Sequence, residues 1–157
     1  MMHEATHQLN SEAAHFTLRK WLDEGMASYI STSKIINKSL RPGDVNKDPY
    51  PAWWLANLAM SGDMETDKKN GSVIPLRAII SGKGGPDINK TFNLYYLHWW
   101  SLVHFLMNYN DGQYRDGLSR VITGHGTISS FEENIGKIED IEAQWYQYVI
   151  ELKKKYL

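Results

Sequence analysis

The chain has 157 residues, 42% hydrophobic and 22% charged, which is enough for one domain with a core of its own. Its formal net charge of −1 gives no electrostatic footing for nucleic acid or an anionic membrane surface. With no cysteine, any bound metal has to be held by His, Asp or Glu.

Met1 to Leu9 reads as a helix already in progress, since two methionines run straight into His3 without an N-cap. The domain is therefore expected to be N-terminally incomplete. Asn10 to Lys20 reads as a polar connection, and Trp21 to Ser31 as a short helix whose Gly25, Ala27 and Ser28 allow a close neighbour. Ser39 to Pro51 holds three prolines and a glycine and is expected to be loop, with Pro51 opening a helix through Met60. Ser61 to Ser72 is polar, and Ser81 to Asn89 (SGKGGPDIN) is a turn region.

Asn93 to Tyr109 is an aromatic helix. Its apolar run, Leu94 to Met107, is interrupted by two His and a Ser and is too short to span a bilayer. Gly112 to Thr123, Ser129 to Ile135 and Ile138 to Tyr156 follow as helices; in the last, Ile138, Ile141, Trp145, Val149 and Leu152 recur at helical spacing. Lys153, Lys154 and Lys155 then sit where the helix dipole favours cations, as a solvated helix end. No run alternates convincingly at period two. The expected fold class is mainly α, one domain over residues 1–157.

His3-Glu4-Ala5-Thr6-His7 is an HExxH pattern. On a helix, positions i and i+4 lie one above the other, so both imidazoles can reach one ion. Glu4 is displaced round the helix, beside the metal rather than on it, where a carboxylate can act as general base on an attacking water. A catalytic zinc site takes three protein ligands and keeps a fourth position open.

Seventeen positions beyond His7 stands Glu24, within Trp21-Leu22-Asp23-Glu24-Gly25-Met26-Ala27-Ser28-Tyr29. This W-L-x-E-G-x-A-x-Y stretch resembles the third-ligand helix of gluzincins, the metallopeptidase group of thermolysin and the large zinc aminopeptidases. Tyr96 to His104-Phe105-Leu106, Ser130-Phe131-Glu132-Glu133 and Trp145-Tyr146-x-Tyr148-Val149 are similar to the peptidase MA-like family. The resemblance implies the catalytic-helix and C-terminal helical part of a zincin-like domain, with His3, His7 and Glu24 as Zn²⁺ ligands. It also implies a peptide or protein substrate.

Two departures accompany it. The ligand spacing is slightly shorter than in the best-known gluzincins. Ser28 stands where thermolysin-like enzymes carry an acidic residue, so the metal-bound His would need another partner to set its tautomer. For the donor opposite the metal, the candidates are Tyr95, Tyr96, His98 and His104. In related aminopeptidases that donor is a downstream Tyr, which favours Tyr95 or Tyr96. The peptidase MA-like pattern, a Tyr followed eight residues on by His-Phe-Leu, places Tyr96 ahead of Tyr95. His15 and His125 read as loop residues without a role. The competing expectation is a catalytically silent, zinc-stabilised binding module, which would keep the ligands but have little reason to keep Glu4.

Overall fold

The computed structural model describes residues 2–13 and 18–157. It is mainly helical, with a single two-stranded sheet among the described residues. The helices are α1 (Met2–Ala13), α2 (Lys20–Ser31), α3 (Met64–Asn70), α4 (Leu76–Ser81), α5 (Phe92–Asn108), α6 (Arg115–Thr123), α7 (Ile128–Asn134) and α8 (Ile138–Tyr156). Strands β1 (Ser33–Ile36) and β2 (Ser39–Val45) form a hairpin between α2 and α3. Among the described residues, no helix is long and apolar enough to cross a membrane.

α5 is the axis of the molecule. Every residue from Leu97 to Leu106 is buried, because α2, α4, α6, α8 and β2 all pack round it. A helix covered on all sides tolerates polar groups only where each finds a partner. The Trp100 Nε1–H donates to Thr32 Oγ1 at 2.8 Å, and the Trp145 Nε1–H to Ser101 Oγ at 3.0 Å. His98 takes the Ile74 N–H on Nε2 at 2.9 Å and donates from Nδ1 to Leu94 O at 2.7 Å.

Against α5 lies α2, and Gly25 is the reason it lies so close. A Cβ at Gly25 would stand 2.6 Å from both Trp99 O and Val103 Cγ2. Glu24 precedes it in the chain, so this contact sets how near Glu24 comes to α5. The buried Trp21 and Leu22 fix the start of α2, and the Trp21 Nε1–H donates to Gly126 O at 2.9 Å.

Several sequence expectations need correction. α1 continues to Ala13 instead of ending at Leu9, because Ser11-Glu12-Ala13 contains no breaker and two good helix formers. Of the rest of the expected connection, residues 14–17 lie outside the described residues and Lys20 already belongs to α2. Ser39–Val45 is strand rather than loop, paired antiparallel to β1 through Lys34↔Arg41, Ile35↔Leu40 and Ile36↔Ser39. Asn37 and Lys38 both take positive φ (51° and 63°), as a two-residue hairpin turn requires. Pro42, Gly43 and Asp44 bulge out before the pairing resumes at Ser33↔Val45, which is how a proline is tolerated there.

The stretch after Pro51 is a 3-10 segment, Ala52–Asn57, and not a helix to Met60. The polar stretch 61–72 contains α3, whose N-cap Asp63 accepts the Thr66 N–H at 3.2 Å and which ends at left-handed Gly71. α4 likewise has no counterpart among the expected elements. Its first N–H, of Leu76, is held at 2.7 Å by buried Glu142 of α8, which also pairs with Lys68 at 2.8 Å.

Candidate metal centre

α1 packs on α2 and brings the two halves of the sequence motif face to face. Successive turns of α1 present His3 and His7 on one side, where Glu24 of α2 meets them. His3 Nε2 is 3.0 Å from Glu24 Oε2, and His7 Nε2 is 3.3 Å from the same oxygen. The two imidazoles meet edge to face, with centroids 4.7 Å apart. One donor atom from each residue lies within 4.8 Å of the others, and no other trio of such side chains qualifies among the described residues.

These separations fit a small tetrahedral ion. Donors about 2.0–2.1 Å from zinc stand roughly 3.4 Å from one another. Two imidazoles and one carboxylate, without a thiolate, are also the donor set of many catalytic zinc sites. Their side chains keep 18–24% of their surface exposed, so the face they form is open to solvent.

Tyr96 joins them from α5. Its hydroxyl donates to Glu24 Oε2 at 3.1 Å, the oxygen both histidines face. Burial, reinforced by the Glu24 charge, raises its pKa and keeps it a proton donor. Tyr95 is elsewhere: its hydroxyl donates to Pro86 O at 2.7 Å. The hundred-degree offset between helix neighbours separates the two, and only Tyr96 reaches the triad.

His98 and His104 do not belong to this site. Both are buried in the core with both ring nitrogens engaged, His104 by Tyr148 Oη at 2.6 Å and Gly43 O at 3.0 Å. Burial lowers each pKa to about 4. His125 lies away from the triad as well, where its carbonyl accepts the Arg19 N–H at 3.0 Å. His15 lies outside the described residues.

Glu4 is exposed on the first turn of α1. Its negative charge adds to the influences that raise the pKa of His7 and of Tyr96. For His7, burial alone would lower the pKa, but Asp23, Glu24 and Glu4 outweigh it and raise it.

Asp23 is the residue that sequence reasoning missed. Its Oδ1 lies 2.9 Å from His7 Nδ1, close enough for ion pairing though outside the alignment of a hydrogen bond. A carboxylate behind the distal nitrogen of a ligand imidazole favours the tautomer that leaves Nε2 free. Asp23 thus stands in the role that Ser28 cannot fill: the Ser28 hydroxyl is buried and unpaired. No spacing rule marks Asp23, because it meets His7 only through the packing of two helices.

Comparison of the chain with protein-family models, with curated proteins and with solved structures finds no match.

Proposed function

We propose that this chain is a zinc-dependent peptidase of the gluzincin type, with His3, His7 and Glu24 holding the metal and Glu4 as general base. The observation that carries the reading is the meeting of His3, His7 and Glu24 from two helices at separations suited to one tetrahedral ion. The sequence pattern required the meeting for this chemistry, and a chance HExxH on a surface helix would have no reason to satisfy it.

Zinc, when bound, supplies a Lewis acid and a water acidic enough to ionise near neutral pH. The protein's own residues do the rest. Glu4 accepts the proton of the attacking water and passes it to the departing amine, which leaves as a neutral group. Tyr96 holds Glu24 in the resting state and is near enough to turn its hydroxyl toward the oxygen of the scissile carbonyl as charge develops there. Asp23 keeps the His7 ring oriented.

Replacing Glu4 by Gln tests the assignment against the silent-module reading. Zinc content by elemental analysis should be unchanged at about one per chain, since Glu4 is not a ligand. Hydrolysis of a peptide library should fall about 10²- to 10⁴-fold. Loss of zinc from the variant would overturn the role of Glu4, and a wild-type protein that holds zinc but cleaves nothing would establish the silent module.

A further inference from the structure

A cavity of about 480 Å³ opens where the start of α2, the loop after α4 and one side of α5 meet. Its size is that of a pocket for a small ligand or a side chain. Arg19, Lys20 and Lys83 stand around it, and Trp21, Tyr95 and Trp99 form its wall. The three cations are exposed, and none has an acidic partner among the described residues. Lys20 instead lies over the Trp99 ring, 5.8 Å from its centroid. The nearby acid, Asp87, is outside the lining and accepts the Asn89 N–H of its own loop at 3.0 Å.

In a chain of net charge −1, three cations left unneutralised around one concavity create a local field that favours an anion. The start of α2 adds to it, since its N-cap residue Arg19 makes no side-chain capping bond. The aromatic wall excludes water from one side and thereby strengthens the attraction.

The cavity adjoins the candidate metal centre. Trp99 links them: its ring, part of the cavity wall and under Lys20, lies with its centroid 4.9 Å from that of Tyr96. Along α2, Lys20 and Glu24 are four residues apart, a rise of about 6 Å. An extended peptide covers that in about two residues.

We propose that this cavity is a substrate subsite for a carboxylate lying one or two residues from the scissile bond, a proposal that rests on the peptidase reading. The carboxylate is either an Asp or Glu side chain or the peptide's own C-terminus. The subsite gives the enzyme a preference for acidic peptides or for cleavage close to a free C-terminus.

Binding is measured by fluorescence anisotropy on the whole, metal-stripped protein, where no cleavage can intervene. One arm compares amidated peptides carrying Glu or Gln at a single position. The other compares a neutral peptide with a free or an amidated C-terminus. In one of the arms the acid should bind about tenfold tighter, and the triple variant Arg19→Gln, Lys20→Gln, Lys83→Gln should abolish that preference while leaving the neutral peptide's affinity unchanged. The three side chains are exposed, so the fold should survive, which circular dichroism checks. Equal binding of acid and neutral peptides in both arms, absence of binding included, overturns the subsite, as does a preference the triple variant retains. The zinc-loaded wild type is assayed for cleavage in parallel. Cleavage without acid preference sinks the subsite and spares the peptidase; acid-selective binding without cleavage does the reverse.

Discussion

α1 and α5 carry opposite parts of the same site and are built in opposite ways. On α5, ten consecutive residues are buried, and Tyr96 sits immediately before that run. On α1, Met2, His3, Thr6 and His7 are half-buried, while Glu4, Ala5 and Gln8 are exposed. Glu24 belongs with the first kind, because its helix buries Trp21, Leu22, Gly25, Ala27, Ser28 and Tyr29. One proposed ligand and one hydroxyl are therefore held by the core, while the other two proposed ligands and the proposed general base ride on a helix with little apolar surface to hold it. A bound ion would join the thin element to the thick one.

The widest consequence is in hydrogen exchange. In metal-free protein the α1 amides should exchange through local opening at close to zero to a few kcal/mol, whereas the central α5 amides should wait for global unfolding at about 5–15 kcal/mol. Added zinc should raise the protection of α1. Equal protection of the two helices without metal would abolish the contrast.

Acid tests the thick element. His98 and His104 are neutral in the folded core, with pKa values lowered from 6.5 to about 4 by burial. Hydrogen bonds to Leu94 O and Gly43 O oppose the shift, and the Lys155 charge adds to that of His104. Between these two pH values the unfolded chain binds protons that the folded one refuses. The stability from neutral burial is thus complete above about pH 6.5 and is lost as pH falls toward 4. Each histidine should cost about 3 kcal/mol across that window. Urea melts at a series of pH values in EDTA read this free of any metal, and a flat profile from pH 7 to 4 would rule the buried histidines out as the source of acid sensitivity.

Gly25→Ala attacks the seam between the two constructions. The added methyl meets a backbone carbonyl, Trp99 O, which cannot rotate aside, as well as Val103. Overpacking of this kind costs about 1–3 kcal/mol, and Ala's helix propensity returns up to about 1 kcal/mol of it. Because α2 must back away, Glu24 should also withdraw from Tyr96, and zinc affinity should fall together with the melting temperature. A stabilised variant with full zinc affinity would show that the seam is looser than its geometry.

What was legible in the sequence follows the same division. α2, α5, α6, α7 and α8 were recoverable within a few residues: α5 and α8 carry long apolar stripes, and glycine-bearing turns separate α6, α7 and α8. The hairpin was not, since Ile35, Ile36 and Leu40 are all exposed and a strand solvated on both faces shows no alternation. α4 was hidden for another reason: its N-terminus is capped by Glu142, far along the chain, and no local pattern could announce it. In the site, His3 and His7 stood out by their i, i+4 spacing, and Glu24 by the resemblance of its stretch to the third-ligand helix of gluzincins. Tyr96 was ranked above Tyr95 on a pattern of spaced residues alone, because a sequence does not say which way a helix is turned. Asp23 and the cationic cavity were invisible, being products of helices that meet.

The smallest effect is expected at Ser28, one turn after Glu24 on the rigid side. Its hydroxyl is fully buried and has no hydrogen-bond partner, although its carbonyl accepts the Thr32 Oγ1–H at 2.8 Å. An unpaired buried hydroxyl contributes nothing to offset its desolvation, so removing it should be close to neutral or mildly stabilising. Alanine also has the higher helix propensity, by a few tenths of a kcal/mol. The opposing term is the void left by one oxygen, which is small beside a methylene-sized cavity. Ser28→Ala should therefore shift stability by about 0 to +1 kcal/mol and leave zinc content unchanged. Thermal melts with and without zinc decide it. A loss above about 1 kcal/mol would mean that the hydroxyl has a partner after all. A loss confined to the zinc-bound protein would make Ser28, and not Asp23, the group that orients the metal-bound histidine.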